Sequence, residues 1–206
     1  MRVAIVNYGM GNLGSVARAF NDLGSQAFIA DRPSSLFGAH RVVLPGVGAF
    51  AEGMTRLREG GWADALARLR QEGRPMLGIC LGMQILAEAG EEVYPCNGLG
   101  FITGRVRRLD TLGCKLRLPH VGWNEISYAQ PGPLFKQIPT GSDFYFVHSY
   151  ALTEFEPSEL LATVDYGAPV AAAVRRGHVF GTQFHPEKSS KAGRQLLCNF
   201  LEYKTY

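Results

Sequence analysis

The order of apolar and polar positions divides the chain near its middle. In the first half, short apolar runs alternate with stretches in which apolar residues return every three or four positions. VAIVNY (3–8) reads as a strand. After a Gly/Asn turn, Leu13, Val16, Ala17, Phe20 and Leu23 recur at helical spacing, and Gly24 is placed to end that helix. QAFIA (26–30) and RVVLP (41–45) are further strands. Residues 51–72 keep a helical period, with Trp62, Leu66 and Leu69 on its apolar stripe, but are interrupted at Gly60-Gly61. PMLGI (75–79) is a fourth strand, and it leads into a helix expected from Leu81 to about Ala89. This βαβα order predicts a mostly parallel sheet with helices on both faces.

The second half has another texture. FITGRVRRL, KLRLPHVGW, NEISY, FYFVHSY, LLATVDYG, PVAAAVRRG and HVFGTQF follow one another as short strands with turn residues between them, before a last helix over about 190–203. Such density predicts antiparallel strands that extend the main sheet or form a smaller one. With 206 residues and no linker, repeat or low-complexity tract, residues 1–206 are expected to form one domain.

Composition adds mainly exclusions. Apolar residues make up 46% and charged residues 19%, an ordinary globular profile. No apolar run approaches the ~18–20 residues that span a bilayer, and the first strand lacks the h-region and cleavage site of a signal peptide. The expectation is a cytoplasmic protein. The four cysteines form no CxxC pair and the five histidines no HExxH cluster, so neither a disulfide framework nor a metal or other cofactor is suggested. A net charge of +3 is too small for a nucleic-acid footprint. Arg105, Arg107, Arg108, Lys115 and Arg117 cluster nonetheless, either as a solvated hairpin face or as a docking rim for an acidic partner.

In an open α/β sheet, ligands sit at the carboxyl ends of the strands. That rule gathers the loops after the first strand (7–14), after the third (45–48), after the fourth (Cys80) and after the last (185–187). Gly78-Ile79-Cys80-Leu81-Gly82 has the form of a nucleophile elbow, in which small neighbours let a strand turn sharply into a helix. The helix end would favour an anionic, attacking sulfur, yet the pentapeptide fits a buried thiol as well. In His185-Pro186-Glu187, an extended segment would put the imidazole and the carboxylate on one face, so that the acid fixes the tautomer of the base. Attack on a carbonyl needs oxyanion donors. Gly46, Val47 and Gly48 offer a backbone free to turn the Val47 N–H inward, alongside the N–H of Leu81.

The strings Gly-Ile-Cys-Leu-Gly-Met-Gln (78–84) and Gln-Phe-His-Pro-Glu-Lys-Ser (183–189) resemble the two hallmark segments of class I glutamine amidotransferase domains. Within that family, Asn7-Tyr8-Gly9-x-Gly11-Asn12, Pro45-Gly46-Val47-Gly48-Ala49-Phe50, Pro119-His120-x-Gly122-Trp123-Asn124 and Tyr145-Phe146-Val147-His148-Ser149-Tyr150 are similar to the glutaminase subunits of imidazole glycerol phosphate synthases. The likeness runs from residue 3 to about 201. Val121 departs from it, because a larger apolar residue, often methionine, is usual there; the change bears on interface packing.

The resemblance implies a flavodoxin-like three-layer sandwich. It also implies hydrolysis of L-glutamine by Cys80 as nucleophile, His185 as base and Glu187 as orienting acid, with Gly46, Val47 and Gly48 as the oxyanion loop. Gln84 would contact the substrate, and His148, Ser149 and Tyr150 would line its pocket. Asn12, Asn124, Tyr145 and Lys188 would face a (β/α)8 cyclase subunit near the ammonia exit, in a heterodimer serving histidine biosynthesis. On the sequence, two other readings stay open: a Cys-His-Glu glutaminase serving another acceptor, and a non-catalytic ligand-binding subunit of flavodoxin-like fold.

Overall fold

The computed structural model describes residues 1–204. Its first half comprises β1 Arg2–Val6, α1 Leu13–Asn21, β2 Gln26–Ala30, β3 Arg41–Gly46, α2 Phe50–Glu59, α3 Trp62–Gln71, β4 Met76–Cys80 and α4 Leu81–Ile85. The second comprises β5 Ala89–Gly90, β6 Cys96–Asn97, β7 Arg105–Arg108, β8 His120–Ser127, β9 Asp143–His148, β10 Tyr150–Thr153, β11 Leu160–Asp165, β12 Pro169–Arg176, β13 Val179–Thr182 and α5 Ser190–Glu202.

Among the described residues, nine strands form one sheet in the order β2-β1-β3-β4-β13-β12-β11-β8-β9. The first five are parallel to their neighbours, and with β13 counted as the fifth they follow the flavodoxin order 2-1-3-4-5. From β13 outward every pairing is antiparallel. A second sheet, β10-β7-β5-β6, lies beside the first.

The two-residue period of the strands sorts the core. Val3 and Ile5 of β1 and Val43 of β3 pack with Val16 and Phe20 of α1 and Phe200 of α5. Ala4, Val6, Val42 and Leu44 pack on the other face with Leu57 of α2, with Trp62, Leu66 and Leu69 of α3 and with Leu81 of α4. A sheet buried on both faces between two helical layers is the expected three-layer sandwich.

Several elements depart from their sequence expectations. The helix after Cys80 ends at Ile85 rather than near Ala89, because the 98–102 segment folds back and takes its carbonyls: the N–H groups of Leu99, Gly100 and Phe101 bond Ile85 O, Ala87 O and Leu86 O at 2.9, 2.9 and 2.8 Å. Residues 115–119 are not strand. Pro119 has no N–H for a ladder, and β8 starts just beyond it with His120 opposite His148. The strands expected at KLRLPHVGW and NEISY are therefore one. Of FITGRVRRL only 105–108 pairs, and there the basic cluster meets carboxylates. Arg107 lies 3.2 Å from Glu91 and 2.7 Å from Glu154, Arg105 bridges the same two acids, and Arg108 pairs with Asp110 at 3.3 Å. For these three arginines that is a solvated, internally balanced face. Among the described residues no helix is long and apolar enough to cross a membrane.

The closest backbone approach is at the β4–α4 junction. A Cβ on Gly82 would stand 1.8 Å from Leu44 O, and one on Gly78 would stand 2.6 Å from Gly82 O. Both neighbours are backbone, so neither position has a side chain that can yield. Gly82→Ala is expected to destabilise by about 3 kcal/mol, measured by urea unfolding.

Candidate active site

Cys80 is the last residue of β4 and the cap of α4, at φ 55° and ψ −113°. A side-chain-bearing residue in that region carries backbone strain of about 1–3 kcal/mol. The conformation projects the sulfur off the end of the sheet, as in a nucleophile elbow. The sulfur is nearly buried, lies 3.7 Å from Val147 O and receives the Gln183 amide N–H at 3.8 Å.

His185 and Glu187 follow β13, the neighbour of β4. The His185 N–H bonds Tyr145 O at 2.9 Å, which ties the segment to β9. Residues Pro186–Lys188 form a 3-10 turn rather than the expected extended segment, because Lys188 N and Ser189 N bond back to His185 O and Pro186 O, each at 3.0 Å. The turn still brings Glu187 Oε1 to 2.8 Å from His185 Nδ1. The Nδ1–H therefore points at the carboxylate, and Nε2, buried without a partner in regular hydrogen-bond geometry, faces the other way. Burial, the largest single influence, lowers the proton affinity of the imidazole, but the nearby Cys80 sulfur and the Glu187 carboxylate together raise its pKa to about 9.

A cleft of about 470 Å³ opens over the sulfur. Val47, Gly48, Cys80, Leu81, Gln84, His148, Ser149 and Tyr150, all marked by the sequence, line it with Ala49, Glu92, Pro119 and Val147. Gly46 lies opposite Cys80 in the ladder. Its missing side chain leaves room for the Tyr8 hydroxyl, 2.3 Å from where a Cβ would stand. Gly48 is at φ 106°, open to glycine alone without strain. Gln84 is buried and donates its amide to Tyr150 O at 2.9 Å and to Gln183 Oε1 at 3.0 Å. A larger hollow, about 900 Å³, lies at the amino ends of the parallel strands near Met1, Arg41 and Tyr203. Its Ser25 hydroxyl is tied to Phe20 O at 2.8 Å, and its Arg41 is committed to Phe200 O and Leu201 O at 3.3 Å.

The remaining marked residues fall in different places. Tyr145 and Lys188 come together, with Nζ 5.7 Å from the ring centre, and Trp123 meets Tyr145 edge-on at 6.0 Å. Asn12 is exposed, and its Oδ1 caps α1 by accepting from Ser15 N at 3.3 Å. Asn124 lies on the other face of β8 from Trp123 and donates to Asp165 O at 2.9 Å, so the structure does not group it with Tyr145 and Lys188.

Sequence reasoning missed Glu92, Gln183 and Tyr8. Glu92 follows a short, irregular stretch with no periodic signal; its Oε2 accepts from Phe50 N at 2.8 Å at the start of α2. Gln183 stands inside the quoted QFHPEKS string without an assigned part. The Tyr8 hydroxyl is buried with no partner, and burial, with Cys80 adding to it, raises its pKa.

A sulfur at a strand–helix elbow, a histidine hydrogen-bonded to a glutamate, and a glycine loop at the cleft thus come together along one edge of the sheet. The family model described as glutamine amidotransferase class-I matches residues 4–203. The chain belongs to that family. It is 44% identical over 200 residues to the imidazole glycerol phosphate synthase subunit HisH of Moorella thermoacetica, covering 97% of this chain and 94% of the relative. It is 47% identical over 199 residues to the protein of the same name in Symbiobacterium thermophilum, covering 97% and 92%. Its fold is similar to a crystal structure of a glutamine amidotransferase, with a TM-score of 0.76, 22% identity and 97% of each chain covered. It is similar also to the structure of PurLQS from Thermotoga maritima, with a TM-score of 0.77, 19% identity and 98% of each chain covered. The chain is a glutamine amidotransferase with an α/β sandwich fold.

The folded pKa of His185 lies above its unfolded value of about 6.5. Its contribution to stability is therefore fully present below about pH 6.5 and is lost as pH rises through about 9. Imidazole NMR is expected to show His185 titrating near 9, and Glu187→Gln is expected to lower that value. A titration unmoved by Glu187→Gln would show that the carboxylate does not hold the proton.

Proposed function

We propose that residues 1–206 act as one glutaminase domain, the subunit of an imidazole glycerol phosphate synthase that releases ammonia from L-glutamine, with Cys80, His185 and Glu187 as its triad. The observation that carries this reading is the hydrogen bond from His185 to Glu187 next to a strained Cys80, which itself lines a cleft with room for glutamine. A protonated imidazole beside a cysteine is the setting in which the sulfur attacks as thiolate. Cys80 adds to the side-chain amide carbon of glutamine, and the oxygen that gains charge is held by the N–H groups of Leu81 and of the 46–48 loop. His185 then gives its proton to the departing nitrogen, the C–N bond breaks, and ammonia leaves a γ-glutamyl thioester on Cys80. Neutral His185 next takes a proton from water as it attacks the thioester, and glutamate and the thiolate are released.

The walls suit the rest of the substrate. Glu92 offers a carboxylate to the α-ammonium, and Gln84, His148, Ser149 and Tyr150 offer polar groups along the chain. Ammonia that escaped into water would be protonated and lost as a nucleophile. It must pass directly to an acceptor, which calls for a partner over the exit. Val47, Val121 and Trp123 are exposed, at 46, 55 and 53%, and Trp123 stacks edge-on against the Tyr145–Lys188 pair. That aromatic and cationic face suits a (β/α)8 cyclase subunit with an acidic residue opposite Lys188. There ammonia reacts to give imidazole glycerol phosphate for histidine synthesis and an aminoimidazole carboxamide ribotide.

Intact-protein mass spectrometry after treatment with a glutamine-analogue electrophile is expected to show one adduct, absent in Cys80→Ala and formed faster with the nucleotide-loaded cyclase. No adduct under any condition would favour a ligand-binding subunit, and labelling indifferent to the cyclase would remove that partner. Trp123→Ala is expected to cost at least about 2 kcal/mol of cyclase affinity, roughly 30-fold in Kd, measured by calorimetry. Unchanged affinity would place the interface elsewhere.

A further inference from the structure

A buried polar chain runs from β8 to the cleft, and the triad does not use it. His148 Nδ1 lies 2.9 Å from Tyr150 O. A carbonyl only accepts, so Nδ1 carries the hydrogen. In a neutral ring Nε2 is then bare, and it lies 3.0 Å from His120 Nδ1, which must be the donor. His120 Nε2 is left to accept, and the Asn124 amide stands 3.3 Å away. Every hydrogen in the chain is assigned without freedom. Burial is the leading cause holding both rings neutral, with His120 pushed down to about 4 and His148 to about 3. His120 is stacked between Phe146 and Tyr166, with ring centres 4.7 and 3.9 Å away.

The far end of the chain is a single oxygen. Tyr150 O receives both the His148 Nδ1–H and the Gln84 amide, and Gln84 continues through Gln183 to the Cys80 sulfur. His148, Tyr150 and Gln84 all line the cleft. If His148 changed tautomer, Nδ1 would present a lone pair to that oxygen, and if the ring flipped, the carbon Cδ2 would stand there instead; either way the Gln84 anchor would lose its fixed partner.

We propose that His120 is a positioning residue for the glutamine site: its Nδ1–H locks the His148 ring in the tautomer that holds the Tyr150 carbonyl and, through it, Gln84. The inference rests on the cleft being the glutamine pocket. Because His120 precedes Val121 on β8, the lock and the exposed partner-facing residues share one strand.

The test uses the chain assembled with its cyclase subunit and nucleotide substrate, and three variants. His120→Leu removes the donor, His120→Phe removes it but keeps a ring for the stack, and His120→Asn keeps an N–H where Nδ1 stood. Leu and Phe are expected to raise KM for glutamine about tenfold with kcat within about twofold, and Asn to restore most of the loss. Long-range 15N–1H NMR of the full chain is expected to show His148 as the Nδ1–H form in the native protein and a mixture in His120→Phe. A KM unchanged in both Leu and Phe variants, or a His148 tautomer unmoved by them, would overturn the proposal, as would an Asn variant no better than Phe. Glutaminase activity retained in Cys80→Ala would instead sink the reading of the site and leave the tautomer result standing.

Discussion

The structure turns on one backbone conformation. Cys80 can be thrust off the end of the sheet only if β4 bends into α4 within a single residue at φ 55°, and that bend needs α4 to lie almost in contact with β3. The separation is set by absent side chains. Gly82 approaches Leu44 O, Gly78 approaches Gly82 O, and Gly46 leaves space for the Tyr8 hydroxyl. Strain of about 1–3 kcal/mol at Cys80 persists because the surrounding backbone leaves no room to relax it. The feature that makes the sulfur reachable is thus the one most tightly constrained by packing.

The rest of the fold brings sequence-distant groups to that point. The parallel strands β3, β4 and β13 end side by side, which sets the 46–48 loop, the sulfur and the His185 turn along one edge. The antiparallel extension then returns toward it. His185 N bonds Tyr145 O, Cys80 lies against Val147 O, and Gln84 reaches Tyr150 O. In this way β9 and the start of β10 become the far wall of a cleft whose floor belongs to the parallel half. The two textures of the sequence are the two walls of one site.

That correspondence explains what was legible. Apart from the end of α4, the parallel half was readable to within a residue or two, because β1, β3 and β4 are buried on both faces and α1, α2 and α3 each show one apolar stripe: the Gly60-Gly61 interruption falls between α2 and α3, and the last helix ends at Glu202. The second half was read only as dense strands, because its register depends on partners no local window contains. His120–Ser127 is one strand since β9 and β11 flank it, and α4 is short because residues 98–102 claim its carbonyls. The sulfur, histidine and glutamate were visible as motifs. The 3-10 turn that joins the last two was not, since Pro186 suits either an extended or a turn backbone. Nor was Glu92, whose place in the cleft comes from a tertiary bond to the start of α2.

Three histidines near the cleft show how one interior sustains opposite charge states. All are buried, and burial alone pushes each toward neutrality. His185 escapes because it has a carboxylate at 2.8 Å and a sulfur as neighbour, so that its proton is retained to about pH 9. His148 and His120 have only a carbonyl, an amide and each other. They stay neutral, and the charge on His185 further disfavours a proton on His148. The division is useful to the chemistry proposed. A second imidazolium in the cleft would repel the α-ammonium of glutamine and compete for the thiolate, whereas a neutral His148 keeps its hydrogen bonds to His120 and Tyr150 O unaltered while the proton moves at His185. The separation rests on the Cys80 sulfur and the Glu187 carboxylate both standing at His185 and at neither of the other two rings.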